Sequence, residues 1–158
     1  MLICIFVINI SQYSLKNKIM QKAQTLLKKY ELRSTEARRA VLRVFLGWEH
    51  ALTHGNIEKA LDLEVDRVTL YRTLKTFEDS GLIHRIADDT DVIRYALCKE
   101  DCDHDQHKHT DNHVHFKCEK CEKTMCLDGT EIPNVQLPNG YRADRFQFLV
   151  IGVCKACS

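Results

Sequence analysis

Two C-x-x-C pairs, Cys118-Glu119-Lys120-Cys121 and Cys154-Lys155-Ala156-Cys157, are the residues of this chain whose spacing most directly implies chemistry. A C-x-x-C turn presents two thiolates at the separation one Zn2+ ion accepts, and two such turns complete a tetrahedron of four soft ligands. Four protein ligands leave no position open for water, so such a zinc ion is structural and does no hydrolysis. A β-hairpin is expected to bring the turns together, and the ion to keep residues 118–157 folded, because that segment is too short to bury much core. A disulfide or a redox couple is the competing reading. More donors lie just upstream. His113-Val114-His115-Phe116 alternates like a strand, which places both imidazoles on one face near Cys118 and marks at least one as a ligand. Cys102, His104, His107 and His109 fall in an irregular polar stretch, where weak metal scavenging or plain solvation is expected.

Eight cysteines in 158 residues would suggest disulfides in an exported protein. Residues 1–10 are apolar but lack a basic flank and a small-residue cleavage site. They are also about half the length needed to span a bilayer. Met20 reads as an alternative start, with residues 1–19 an N-terminal extension. The cysteines then belong to a reducing cytosol, where Cys pairs are metal ligands more often than disulfides. No membrane association and no small-molecule substrate are expected. The absence of any nucleophile–base–orienter pattern argues against an enzyme. Net charge is only +1, but its distribution is uneven. Residues 16–43 carry nine basic side chains against Glu31 and Glu36, whereas residues 98–126 are acidic and His-rich.

Four helices are expected before the cysteine-rich half. The first, 20–30, is short and basic. The second, 35–48, begins at a Ser34 or Thr35 cap and gathers Ala37, Val41, Val44, Phe45 and Trp48 on one face. The third starts at the cap Thr53 and buries Ile57, Ala60 and Leu61. The fourth starts at the cap Asp66 and stops at Gly81. Two β-like runs, 82–87 and 92–97, flank the polar turn Asp88-Asp89-Thr90-Asp91 and read as a hairpin. Helix, helix, helix, hairpin is the order of a winged helix-turn-helix. Strands are expected again at 113–116, 123–127 and 146–153, while Pro133 and Pro138 oppose a long helix between them. The fold class is therefore α+β: a winged helix-turn-helix at 20–97, a Cys/His-rich linker at 98–112, and a small zinc-stabilised, mostly β domain at 113–158.

On a helical wheel the fourth helix turns Leu70, Leu74 and Phe77 inward and Val68, Tyr71, Arg72 and Lys75 outward. Taken alone, the outer face is a solvated basic surface. Within a helix-turn-helix it offers the groups that contact phosphates and base edges of double-stranded DNA. Arg33, Arg38, Arg39 and Arg43 form a second basic patch suited to the flanking backbone. Arg85 and Arg94 suit either a DNA groove or a plain surface.

These residues together resemble the ferric uptake regulator family of bacterial metal-sensing repressors. The resemblance covers about residues 22–157. It rests on Leu32-Arg33-Ser34-Thr35 with Arg38, Val68-Thr69-Leu70-Tyr71-Arg72-Thr73-Leu74, Gly81-Leu82-Ile83, His113-x-His115 before Cys118, both C-x-x-C pairs, and Ile151-Gly152-Val153-Cys154. It implies a homodimer on palindromic operator DNA, with Arg33, Tyr71 and Arg72 at DNA-contacting positions. Iron and peroxide sensors of the family carry carboxylates where this chain has Ala96 and Cys126. The zinc uptake regulators instead use positions that fall here on His84 and Cys98. His113 or His115 would complete that set, with Cys126 an additional or alternative ligand. A sulfur- and nitrogen-rich set suits zinc better than Fe2+ or Mn2+. His84 could equally be a surface histidine, and Cys126 a small buried hydrophobe. The family's helix between the two cysteine pairs is replaced here by 128–139, short and broken by two prolines. Dimer pairing would then fall to residues 146–150.

Overall fold

The computed structural model describes residues 2–86, 90, 92–98, 113–127, 129–143 and 146–158, with side chains from residue 14 onward. Outside them lie residues 88, 89 and 91 of the expected turn, and Cys102, His104, His107 and His109. The chain divides into two compact units, Met1–Trp48 with Ile57–Leu82, and Glu49–Asn56 with Ile83–Ser158.

The first unit is helical: α1 (Leu2–Lys29), α2 (Glu36–Leu46), most of α3 (His54–Leu61) and α4 (Arg67–Asp79). The helix expected at 20–30 is thus the last part of a continuous 28-residue helix, which buries Ala23, Leu26 and Leu27. Thr35 caps α2 by accepting from the Arg38 N–H at 3.3 Å. The buried face of α2 is Ala40, Val41, Leu42 and Phe45. Ala37 and Val44 are only half-buried. Trp48 is 50% exposed, because the helix ends at Leu46 and residues beyond it no longer follow its phase. Thr53 caps α3 as expected: its Oγ1 accepts from the Asn56 N–H while Asn56 Oδ1 accepts from the Thr53 N–H, both at 3.1 Å. Ile57 and Leu61 are buried, but Ala60 is exposed.

Asp66 caps α4 by accepting from the Thr69 N–H at 3.0 Å. Leu70, Thr73, Leu74 and Phe77 are buried along one face. The helix closes where Gly81 takes φ of 73°, a left-handed conformation that a side chain would strain. There the Leu82 N–H reaches Phe77 O at 2.8 Å and the Gly81 N–H reaches Glu78 O at 2.9 Å, so the chain turns directly into a strand.

The second unit holds two three-stranded sheets. In the first, β1 (Leu52–Thr53), β2 (Ile83–Ile86) and β3 (Arg94–Leu97) run in the order β1-β3-β2, all antiparallel. The hairpin β2–β3 is the expected wing, and β1 is a strand the sequence did not suggest. In the second, β4 (Val114–Cys118), β5 (Thr124–Leu127) and β6 (Phe148–Gly152) run in the order β5-β4-β6. β4 pairs antiparallel with β5 and parallel with β6. The sheets are joined where the Ala51 N–H donates to Thr124 O at 2.7 Å, and where Ala51, Ile86 and Ala96 pack with Cys126. The order α2, α3, α4, β2, β3 is that of a winged helix-turn-helix, and the small cysteine-rich sheet follows it. The fold is α+β. Among the described residues no helix follows α4, and none is long and apolar enough to cross a membrane.

Candidate metal centres and a basic helix face

Cys118 is the last residue of β4, and Cys121 lies in the tight turn that follows. That turn is closed by the Glu122 N–H on Cys118 O at 2.9 Å and the Cys118 N–H on Lys123 O at 3.0 Å. Cys154 and Cys157 lie in a matching turn just after β6, where the Cys157 N–H donates to Cys154 O at 2.9 Å. The second pair therefore arrives on a parallel strand, and the β4–β5 hairpin shapes only the first turn. Pairing of Cys118 with Gly152 sets the turns side by side, and Lys120 Nζ crosses to Cys157 O at 2.8 Å.

One ligand atom from each of the four cysteines lies within 4.8 Å of the others. Cys121 and Cys154 Sγ are 3.8 Å apart, and all four are free of disulfides. A zinc tetrahedron with Zn–S of about 2.3 Å has edges of about 3.8 Å. The Cys154 N–H donates to Cys118 Sγ at 3.3 Å. Backbone donation from Cys154 and Cys121 holds the Cys118 thiol down to about 6, whereas hydrogen bonding with the Cys154 and Cys121 sulfurs pushes Cys157 up to about 12. Thiols this close cannot all ionise without a cation among them. The donor set fits zinc, which would lock the two turns together.

A second cluster joins the two sheets of this unit. His84 comes from β2, His113 stands just before β4, His115 lies on β4 and Cys126 on β5. One ligand atom from each lies within 4.8 Å of the rest. His115 and Cys126 are cross-strand partners, which is why the hairpin register brings them together. His84 Nε2 is 3.2 Å from His115 Nε2 and 3.5 Å from Cys126 Sγ. His113 sits edge-on to both rings, with centroids 4.8 Å from His84 and 4.5 Å from His115. His113 Nε2 is buried with no hydrogen-bond partner, an orphan atom that a cation would satisfy. The residues therefore fit a metal ion. Cys98, expected in the same set, lies on the far side of His84: its Sγ is 3.3 Å from Nδ1.

Burial, reinforced by His113, pushes His115 down from 6.5 to about 4, keeping it in the neutral form that binds metals. In the metal-free protein this has a stability consequence. Between pH 6.5 and 4 the unfolded chain takes a proton that the folded chain refuses. Stability is thus fully present above pH 6.5 and falls as the pH drops toward 4. His50, also lowered chiefly by burial, adds to the slope. Urea midpoints across this range should fall with pH, and His115→Gln should flatten much of the slope.

On α4, Val68 and Tyr71 are about 60% exposed, and Arg72 and Lys75 are exposed beside them. Lys75 pairs with Asp79 at 2.6 Å. In the second basic patch, Arg33 is exposed. Arg38 Nη1 donates to Arg33 O at 3.0 Å, folding the start of α2 onto its approach. Arg43 is held by Glu64 at 2.8 Å.

A sequence model of the ferric uptake regulator family matches residues 29–145. The chain belongs to that family. Ferric uptake regulators and their relatives are metal-responsive transcription regulators. A ferric uptake regulation protein of Neisseria gonorrhoeae is 29% identical over 141 residues, covering 83% of this chain and 90% of its own. A peroxide-responsive repressor of Staphylococcus epidermidis is 25% identical over 138 residues, covering 83% and 85%. Two solved structures share the fold. A zinc uptake regulator complexed with zinc and DNA superposes with a TM-score of 0.61 at 19% identity, covering 89% of this chain and 93% of that one. A zinc-bound manganese uptake regulator gives 0.54 at 21% identity, covering 82% and 97%.

Within this family frame, the structure brings together every expected donor except Cys98. Spacing left a choice between His113 and His115, and both reach the cluster. The sequence fits Cys126 as ligand or as filler, and its register opposite His115 is what brings it into the cluster. His50 and His54 belong to neither cluster.

Proposed function

We propose that the protein is a zinc-responsive transcriptional repressor that binds palindromic operator DNA as a homodimer when its second metal centre is filled. Residues 20–97 are the winged-helix DNA-binding part, 98–112 a linker and 113–158 the zinc-stabilised dimerisation part, all acting in the cytoplasm. The observation that carries this reading is the meeting of His84 with His113, His115 and Cys126. The first comes from the wing strand that follows α4 directly in sequence, the others from the C-terminal sheet. A zinc ion held there supplies a crosslink between β2 and the β4–β5 hairpin. His84 thereby couples the metal centre to the strand that leaves the recognition helix. Arg33, Arg38, Val68, Tyr71, Arg72 and Lys75 form the DNA-facing surface, with Tyr71 and Arg72 as the base-reading pair. Cys118, Cys121, Cys154 and Cys157 hold a permanent structural zinc.

The donor sets support zinc. Three imidazoles with one thiolate, like four thiolates, are softer than the carboxylate-containing sets that suit Fe2+ and Mn2+. An iron- or peroxide-sensing repressor is the second reading, and a zinc-ribbon redox or adaptor protein the third. The homodimer is supported by β6. Among the described residues it pairs only with β4, and its other edge is flanked by exposed Val150, Ile151 and Val153. An unpaired apolar edge of that kind invites a second strand.

Metal choice is tested with the full-length protein and a palindromic duplex that it selects from a random-sequence library. Titrating Zn(II), Fe(II) and Mn(II) separately, we expect Zn(II) to raise duplex affinity at the lowest free metal concentration. A larger response to Fe(II) assigns the protein to iron sensing instead.

A further inference from the structure

We infer that Cys98 is a positioning residue and not a metal ligand: its sulfur holds the Nδ1 side of His84, and the one thiolate that reaches the ion is that of Cys126. The inference rests on the second cluster being a metal centre. An imidazole carries its two nitrogens in diverging directions, so one ring gives only one of them to a given ion. On the Nε2 side of His84 stand His115 Nε2 at 3.2 Å and Cys126 Sγ at 3.5 Å. With Zn–N of about 2.05 Å and Zn–S of about 2.3 Å, tetrahedral edges are about 3.3 Å between nitrogens and about 3.6 Å between nitrogen and sulfur. These are the observed separations to within about 0.1 Å. His113 is the fourth member of the same group. Cys98 Sγ faces Nδ1 instead, at 3.3 Å.

That placement has a chemical purpose. A metal-ligating imidazole needs an acceptor on its other nitrogen to fix the tautomer and hold the ring in plane with the ion. A carboxylate or a carbonyl commonly serves. Here the buried Cys98 sulfur, 5% exposed, accepts the Nδ1–H and leaves Nε2 as the ligating atom. The pairing of His84 with Ala96 across the wing sets Cys98 two residues farther on, beyond that pair. The ligand set is then three nitrogens and one sulfur.

Cobalt tests this directly, because a thiolate ligand produces a near-ultraviolet sulfur-to-cobalt charge-transfer band. Co(II) is titrated into the full-length chain with zinc already in the four-cysteine centre. Cys126→Ser is expected to abolish the band. Cys98→Ser should keep it at wild-type intensity. Cys98→Ala should also keep it but weaken Co(II) binding about 10- to 100-fold, with serine milder because its hydroxyl still accepts from Nδ1. A band lost in Cys98→Ser, or reduced by half in each serine variant, overturns the inference while leaving the metal centre in place. No Co(II) uptake at a second site in the wild-type protein overturns both.

Discussion

Replacing Tyr71 and Arg72 together by alanine is expected to lower operator affinity about 30- to 25,000-fold without disturbing the fold. Both side chains stand on the outer face of α4, and Tyr71 is 62% exposed. The helix itself is held by Leu70, Leu74 and Phe77 on the opposite side, so the substitutions remove no core. A well-placed base or bidentate contact contributes about 1–3 kcal/mol of discrimination, and two independent contacts give the range above. The check is duplex binding of the double variant beside its circular dichroism and thermal midpoint. Unchanged DNA affinity would make the protein a zinc-ribbon adaptor whose α4 is an ordinary solvated surface. Lys75→Ala should do less, because Lys75 is already paired with Asp79 and a phosphate contact mainly alters the salt dependence.

Cys154→Ser should unfold the small sheet while sparing the helices. Cys154 contributes one of four sulfurs, and its N–H also donates to Cys118 Sγ. Losing it removes a ligand and an orienting bond together. Zinc bound in sites of this kind contributes about 10–16 kcal/mol of apparent binding free energy, which is also folding free energy for the segment that holds it. β6 has little else: its Val150 and Ile151, and Val153 just beyond it, are each more than 40% exposed. Amide hydrogen exchange should show lost protection along Val114–Cys118 and Phe148–Gly152, with α1 and α4 unchanged. Chelation of wild-type zinc should give the same pattern. A sheet that stays protected after zinc is gone would show that its packing suffices.

The helix-turn-helix was legible because its signals are local. Asp66 and Gly81 bound α4, and Leu70, Leu74 and Phe77 recur at helical spacing between them. Spacing alone equally marked Cys118, Cys121, Cys154 and Cys157 as one cluster, since each C-x-x-C turn sets two sulfurs near one another. The remainder depends on pairing that no local pattern encodes. Trp48 falls on the core face only of a helix that passes Gly47, and α2 ends at Leu46. β1 is two residues long, too short for any periodicity, and exists because Leu52 pairs with Tyr95. Nothing in the spacing of the cysteine pairs announces that β6 runs parallel to β4. Cys126 gained its meaning from standing opposite His115, and Cys98 from reaching the other nitrogen of His84.

The coupling of metal to DNA through His84 is measured most directly as operator affinity with and without added Zn(II), keeping the four-cysteine centre loaded throughout. Wild-type affinity should rise about 5- to 150-fold with zinc, the span of ordinary allosteric couplings, and His84→Ala should show no rise. Equal wild-type affinity in the two conditions contradicts the coupling.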